Sequence, residues 1–538
     1  IADAAGAATA DALKTELGLP LSDRVTGETG FSARLLFPAG QVEEPMPFTI
    51  QIASDLEGLG IELPRPLGKP VDEPVNLGVT IFMPKGADRV DTTGSAGDIF
   101  SWQAAITKQD GLWDVDRGIV TFGTGPGATS LPETRGLHLR GATDYVHIRR
   151  WFDMSKESEN KFGTMDRVRS IDMTVANLHV LGQHLVNHRI RLDRSARDWH
   201  VEVEGEDVVA KTVIPYDFNS GRPIVVDADR LVLPGDETEQ DVEPVQVDPR
   251  TLPPISVRSR ETAFGKRFFG SIEADFNRTA DGLESETIIA RDETFEIIGN
   301  GSWILDESDP AGTRSAITAS LTSTDVKTTM KRLDYAPGII GDDLSMLLDV
   351  SWSGGPSEKL IESLDGQVKV RIGSGRLEEV KPGAGRVFGL LSVAALPRRL
   401  ALDFRDVFGK GFAFDKIQGT FTLIDGNTYT CDLSLESPAA DIGIVGRAGL
   451  VTRDYEQSAV VSASFGNALP VAGALVAGPQ VAAALLIFSQ IFKKPLQEAT
   501  QVYYGIGGTF DEPDIQTITP EVFALSGAMA GCVSKDDS

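Results

Sequence analysis

The sequence predicts a mainly β protein built on antiparallel sheet, and three observations carry that expectation. Apolar and polar residues alternate with a period of two in run after run. Glycine is abundant, at 55 of 538 residues, or about 10% against a usual ~7%. Gly, Pro, Asn and Asp punctuate the runs, as turns between short strands require. Strict alternation gives each strand one apolar face and one wet face. About two dozen such runs make antiparallel pairing the expected main architecture.

Taken in order, residues 1–18 are Ala-rich and read as a helical lead-in ended by Pro20. Residues 19–245 and 246–382 read as two successive stretches of strands. In the first, Trp199, Val201 and Val203 alternate with His200, Glu202 and Glu204; in the second, Val368, Val370 and Ile372 alternate with Lys369 and Arg371. Acidic, Pro-bearing residues 234–254 mark a boundary between the two, and a second acidic break covers 306–312. Residues 383–410 read as a helical insertion with Pro397 as a kink or break. Strands resume over 411–468, where Phe421 and Leu423, then Tyr429, Leu433 and Leu435, then Ile442 and Ile444 hold the apolar positions. Residues 469–496 are the most apolar stretch and read as a helical hairpin or cap split at Gly478-Pro479. Its second half, 479–492, reaches only about 21 Å as a helix, short of a ~30 Å hydrocarbon core. A last strand is expected within 497–520, and 521–538 form a tail.

Composition excludes several functions. Fifty-one Lys and Arg against 78 Asp and Glu leave a net charge of −27, which opposes nucleic-acid binding. Two cysteines, Cys431 and Cys532, rule out a disulfide framework and a four-cysteine zinc site but permit one bridge. The text begins at Ile1 with no signal-peptide pattern, and we read it as a fragment that lacks an anchor.

Motifs for chemistry are weak. His184 and His188 are four apart, a ligand spacing on a helix; strand-like flanks instead place them about 13 Å apart on one face. Gly383, Gly385 and Gly389 approach a dinucleotide fingerprint, but Phe388 stands where its third glycine belongs. Adjacent acids such as Asp342-Asp343 and Glu378-Glu379 read as solvated faces, and no acid–base pair stands out. No enzyme, cofactor or metal is expected. Arg398 and Arg399 head a segment, 376–410, with seven basic and four acidic residues. That reversal of sign fits either internal ion pairs or contact with phosphate headgroups.

Residues 389–426 carry a resemblance. Gly389, Leu390, Leu391, Ser392, Leu396, Pro397, Arg398, Arg399, Leu400, Asp403, Phe404 and Phe408, then Gly411, Phe412, Phe414, Asp415, Gly419 and Phe421, are very similar to the C-terminal signature of the YhdP family. These are the large AsmA-like proteins of Gram-negative bacteria. Residues 452–457 (TRDYEQ), 63–70 (LPRPLGKP), 199–205, Tyr504, Gly508 and 511–513 extend the match; Phe510 stands where the family tends to have Trp.

The resemblance implies a long, curved antiparallel sheet enclosing an apolar groove, with phospholipid as cargo. It implies an inner-membrane anchor, absent here, and a body crossing the periplasm, with the C-terminal end toward the outer membrane. The expected groove lining is Trp199, Val201, Val203, Val368, Val370, Ile372, Phe421, Leu423, Tyr429, Leu433, Leu435, Ile442 and Ile444. A distal cap or membrane contact is expected at Leu485, Leu486, Phe488, Ile491 and Phe492, with Lys493 and Lys494 at headgroup level. The competing reading takes the same alternation as the dry core of a structural or adhesive β-protein.

Overall fold

The structure, a computed structural model, describes residues 1–12, 24–37, 47–84, 88–109, 112–124, 130–151, 167–180, 183–233, 247–335, 337–355, 358–378, 412–463 and 500–525. The predicted helices within 383–410 and 469–496 lie outside these residues. So do the residues proposed there: Arg398, Arg399, Leu485, Leu486, Phe488, Ile491, Phe492, Lys493 and Lys494. The chain divides into two compact units, residues 1–220 with 224–241, and 221–223 with 242–538.

Fourteen strands are described in the first unit: β1 (Ala2–Thr9), β2 (Val25–Leu36), β3 (Phe48–Ser54), β4 (Leu59–Ile61), β5 (Leu77–Met83), β6 (Arg89–Ala96), β7 (Phe100–Gln109), β8 (Leu112–Phe122), β9 (Gly136–His147), β10 (Val168–Val180), β11 (Gln183–Arg194), β12 (Asp198–Glu204), β13 (Val208–Pro215) and β14 (Ile224–Leu233). All but β4 pair in chain order, and β4 joins one end of β2. Pairing is antiparallel except at β9, which runs parallel to both β8 and β10. Parallel neighbours need a crossover of a dozen residues or more, and the linkers 123–135 and 148–167 are long enough.

The Ala-rich lead-in is a strand, not a helix. Residues 2–9 pair antiparallel with β2, Ala2 opposite Leu35 through Thr9 opposite Glu28. Alanine favours helix locally, but here each residue gains a ladder partner, and Asp3 meets Arg34 at 2.7 Å. Pairing outweighs propensity.

The second unit contains β15 (Ile255–Phe264), β16 (Arg267–Arg278), β17 (Gly282–Arg291), β18 (Phe295–Leu305), β19 (Thr313–Ser323), β20 (Ile339–Gly341), β21 (Leu344–Ser353), β22 (Asp365–Ile372), β23 (Gly375–Leu377), β24 (Phe412–Phe414), β25 (Lys416–Ile424), β26 (Asn427–Glu436), β27 (Ala440–Gly449), β28 (Asp454–Ala463), β29 (Thr500–Gly508) and β30 (Pro513–Ile518). Thirteen of them follow one another in an antiparallel meander, while β20, β23 and β24 form a small separate sheet. The β25–β26 hairpin turns on Asp425 and Gly426 at φ 47° and 69°. Both central residues of a type I′ turn need positive φ, and Asp-Gly suits it. The helix α1 (Val326–Arg332) starts where the Asp325 side chain accepts from the Thr328 amide at 3.0 Å.

Packing differs along the chain. In the second unit, Val326 and Met330 of α1 and Ile339, Leu377, Phe412 and Phe414 of the small sheet join Val368, Ile372, Ile417, Leu433, Leu435 and Ile444 in one buried cluster. In the first unit the cluster is smaller, and Phe100, Val120, Leu139, Ile171, Ile190 and Val203 pack against it only half-buried.

This contrast predicts unequal costs for truncation. Ile444→Ala, at a site 0% exposed, is expected to cost about 2–5 kcal/mol. Leu192→Ala, half-buried, is expected to cost about 1 kcal/mol, because little cavity is left behind. Chemical denaturation of both variants checks this, and equal losses contradict it.

Candidate functional site

Register turns the alternation into rows that cross the first unit. One row runs Ala33–Ile52–Val79–Gly94–Trp102–Val120–Leu139–Ile171–Leu192–Val201–Thr212–Val226. Beside it runs Leu77–Ala96–Phe100–Phe122–Gly141–Met173–Ile190–Val203–Ala210–Ala228. On its other side runs Ala2–Leu35–Ile50–Ile81–Thr92–Ala104–Gly118–Leu137–Val168. None of the three rows contains an ionisable side chain. The first row crosses eleven strand spacings, or about 53 Å along the sheet at ~4.8 Å each. Every member of it is half-buried, so the apolar row stays partly open to solvent.

The opposite face is built from charge. Arg140, Asp172, Arg191, Glu202, Lys211 and Asp227 are consecutive cross-strand neighbours on β9 to β14 and alternate in sign. Arg191 lies 3.5 Å from Glu202 and 3.1 Å from Glu204, and Lys211 lies 3.3 Å from Glu202. Arg189 binds Asp172 through two hydrogen bonds of 2.7 Å and holds its carboxyl below the ordinary value. Opposite charges directly across a strand pair stabilise the register. A slip of one residue would bring these charges onto the apolar face.

The expected lining residues separate into three groups. Trp199, Val201 and Val203 are half-buried on the apolar face of the first unit. Trp199 packs edge-on against Tyr216 at 5.5 Å, and the Arg194 guanidinium lies over both rings. Val368, Val370, Ile372, Phe421, Leu423, Leu433, Leu435, Ile442 and Ile444 share the apolar face of the second unit at 0–4% exposure. They belong to a packed cluster. Tyr429 is 37% exposed and lies on the other face. A β-bulge between Thr430 and Leu433 shifts the phase, so the inward positions run Thr428, Thr430, Leu433, Leu435. Simple parity from Leu433 misplaces Tyr429 for that reason.

The transition from half-open to closed falls within one row of the second unit. Ile288, Ala319 and Leu348 are half-buried, whereas their successors Val368 and Phe421 are 3% and 1% exposed. Sequence periodicity does not distinguish these environments, because both present the same alternation.

His184 and His188 do not share a face. His188 is fully buried and accepts from the Val208 amide at 3.2 Å, while His184 meets Asn177 at 3.0 Å. Asn187, at φ 56°, interrupts the alternation between them. Among the described residues no group of His, Cys, Asp or Glu is arranged to hold a metal ion, and no helix is long and apolar enough to cross a membrane. Asp342 and Asp343 are exposed, and Glu378 pairs with Lys327 at 2.6 Å. Cys431 is disulfide-bonded; Cys532 lies outside the described residues.

Comparison with known proteins gives a consistent family. The family model described as YhdP protein matches residues 1–515. A relative from Escherichia coli (strain K12), the intermembrane phospholipid transporter YhdP, is 25% identical over 486 residues, which takes in 88% of this chain. The chain spans 37% of that relative's length. No solved structure matches the chain.

The charged face yields a prediction. Asp172 is depressed by Arg189, so its contribution is present above the ordinary carboxylate value near 3.8 and is lost as pH falls below it. A double-mutant cycle of Asp172→Asn and Arg189→Gln is expected to give a small favourable coupling at neutral pH. It should fade in 1 M salt and at acid pH; coupling that survives both contradicts a surface ion pair.

Proposed function

The chain belongs to the YhdP family, and on that premise we propose that it conducts phospholipid between membranes without chemistry, along the apolar face of its sheet. What supports this reading above all is the first unit's set of three apolar rows free of ionisable side chains, one of them half-buried along its whole length. The relative is an intermembrane phospholipid transporter, and acyl chains favour an apolar surface over water.

The energetics favour a track over a pocket. Moving a lipid with about 30 methylenes into water costs on the order of 24 kcal/mol at ~0.8 kcal/mol each. A continuous apolar surface removes most of that cost, because each step exchanges one apolar contact for another. The polar headgroup stays in water at the edge of the sheet, where no protein partner has to desolvate it. We further propose that a body of this kind bridges the periplasm, with its C-terminal end toward the outer membrane. Residues 383–410, through Arg398 and Arg399, and 469–496 would meet headgroups and cap the distal end.

The dry core of the second unit favours a different role for that part. Val368, Phe421, Leu433 and Ile444 are sealed, so they brace the sheet rather than carry tails in this conformation. The lipid path we propose is carried by the first unit; in the second, Ile288, Ala319 and Leu348 are half-buried positions on the apolar face.

Two substitutions separate these roles. Val201→Asp places a charge on the half-open face; we expect a folded chain that loses bound phospholipid, because a charge beside acyl chains is costly. Leu433→Asp, at 1% exposure, is expected to destabilise the fold itself. Native mass spectrometry of the chain purified from membranes under mild detergent reads the first, and circular dichroism reads the second. Undiminished lipid on folded Val201→Asp, or no phospholipid on the unmodified chain, contradicts the proposal.

A further inference from the structure

The two flanks of the first unit's apolar face differ. Beyond the row Leu77 to Ala228, residues 55–76 leave the end of β3 and return to β5 as a strap. Backbone hydrogen bonds tie the strap across itself. The Gly58 amide donates to the Val71 carbonyl at 2.9 Å, Ile61 and Lys69 exchange bonds of 2.8 and 2.9 Å, and the Val75 amide donates to the Asp55 carbonyl at 2.7 Å. Lys69 is 6% exposed, and its ammonium donates to the Leu59 and Pro70 carbonyls at 2.8 Å each. From this strap Leu67 packs onto the buried cluster that holds Phe122 and Met173 of the same row. Five acidic residues against Arg65 and Lys69 leave residues 55–76 with a net charge of −3.

The opposite flank carries a guanidinium. Two residues beyond Leu192 and Val201 of the central row, on the same face, comes the pair Arg194–Trp199, followed by Ile214. Arg194 is half-buried, 5.4 Å from the Trp199 ring centre and 4.8 Å from that of Tyr216. The Tyr216 hydroxyl lies 2.8 and 2.9 Å from the Ser195 and Asp198 carbonyls, which fixes its ring against the guanidinium. Stacking engages the face of a guanidinium; its N–H donors lie in its plane and match the paired oxygens of a phosphate. On β11 Arg194 is four residues from Ile190, which belongs to the row nearer the strap, or about 14 Å at ~3.4 Å each.

We propose that phospholipid lies across this face in one orientation, with its acyl ends toward Leu67 and its phosphate toward Arg194. The strap presents an apolar contact backed by acidic residues, which suits a methyl end and repels a phosphate. The Arg194 flank offers the opposite sign. A lipid sliding from strand to strand keeps the orientation with which it entered, because reversing it would drag a charged headgroup over the central apolar row. The inference rests on the phospholipid reading and adds to it a polarity across the track.

The test uses the full chain and two phosphatidylcholine probes, one with a diazirine at the end of an acyl chain and one with a diazirine on the headgroup. After photolysis, peptide mapping should place the acyl probe on the peptide containing Leu67 and the headgroup probe on the peptide containing Arg194 and Trp199. Arg194→Gln should lower the ratio of headgroup to acyl label about tenfold, the worth of one hydrogen bond to a charged group, and Arg194→Lys, which keeps the charge, should restore most of it. The reversed pattern, equal labelling of both peptides by both probes, or acyl label on the central row with none at Leu67 overturns the proposal. So does a ratio that Arg194→Gln leaves unchanged in a chain whose circular dichroism is native; the mapping of the unmodified chain decides the matter if that variant does not fold. If the acyl probe labels neither flank nor the central row, the phospholipid reading itself fails.

Discussion

The whole arrangement depends on keeping ionised groups off the central rows of one face of a sheet. A β-strand sends successive side chains to opposite sides, so segregation requires register to hold on every strand. In the first unit, nine to twelve consecutive cross-strand positions on each apolar row carry no charge. On the reverse face, acids and bases alternate from Arg140 to Asp227. The two patterns enforce each other. A single-residue slip would expose the apolar rows to the wrong side and bring the charge ladder onto a surface that cannot solvate it. The net charge of −27 keeps such a chain soluble despite a half-open apolar face.

The same alternation serves two ends. Where it stays half-buried, as at Leu192 and Val201, it leaves an accessible hydrocarbon surface. Where α1 and the small sheet of β20, β23 and β24 pack on it, near Ile372 and Ile417, it becomes a core. Accessible apolar surface is thermodynamically unfavourable in water and favours an apolar ligand; a filled core needs none. The functional distinction thus lies in what covers a strand, not in the strand's own residues.

The sheet itself was legible in the sequence because period-two alternation is a local signal. Val201 with Glu202 and Val368 with Lys369 show it within a few residues. What was not legible depended on partners or on single-residue irregularities. Residues 2–9 form a strand against their helical propensity, since β2 supplies the pairing. Tyr429 faces outward because a bulge, invisible in composition, shifts the phase after it. His184 and His188 part company across Asn187. The depth of burial from Val368 onward was equally hidden, as it comes from elements distant in the chain.

The most direct measurement is photocrosslinking of the chain with a phospholipid carrying a diazirine in its acyl chain, followed by peptide mapping. The account predicts label on the apolar rows of the first unit, at residues such as Val120, Leu139, Leu192 and Val201, and not on Arg191, Glu202 or Lys211. Label spread equally over both faces, or confined to the charged one, would contradict it.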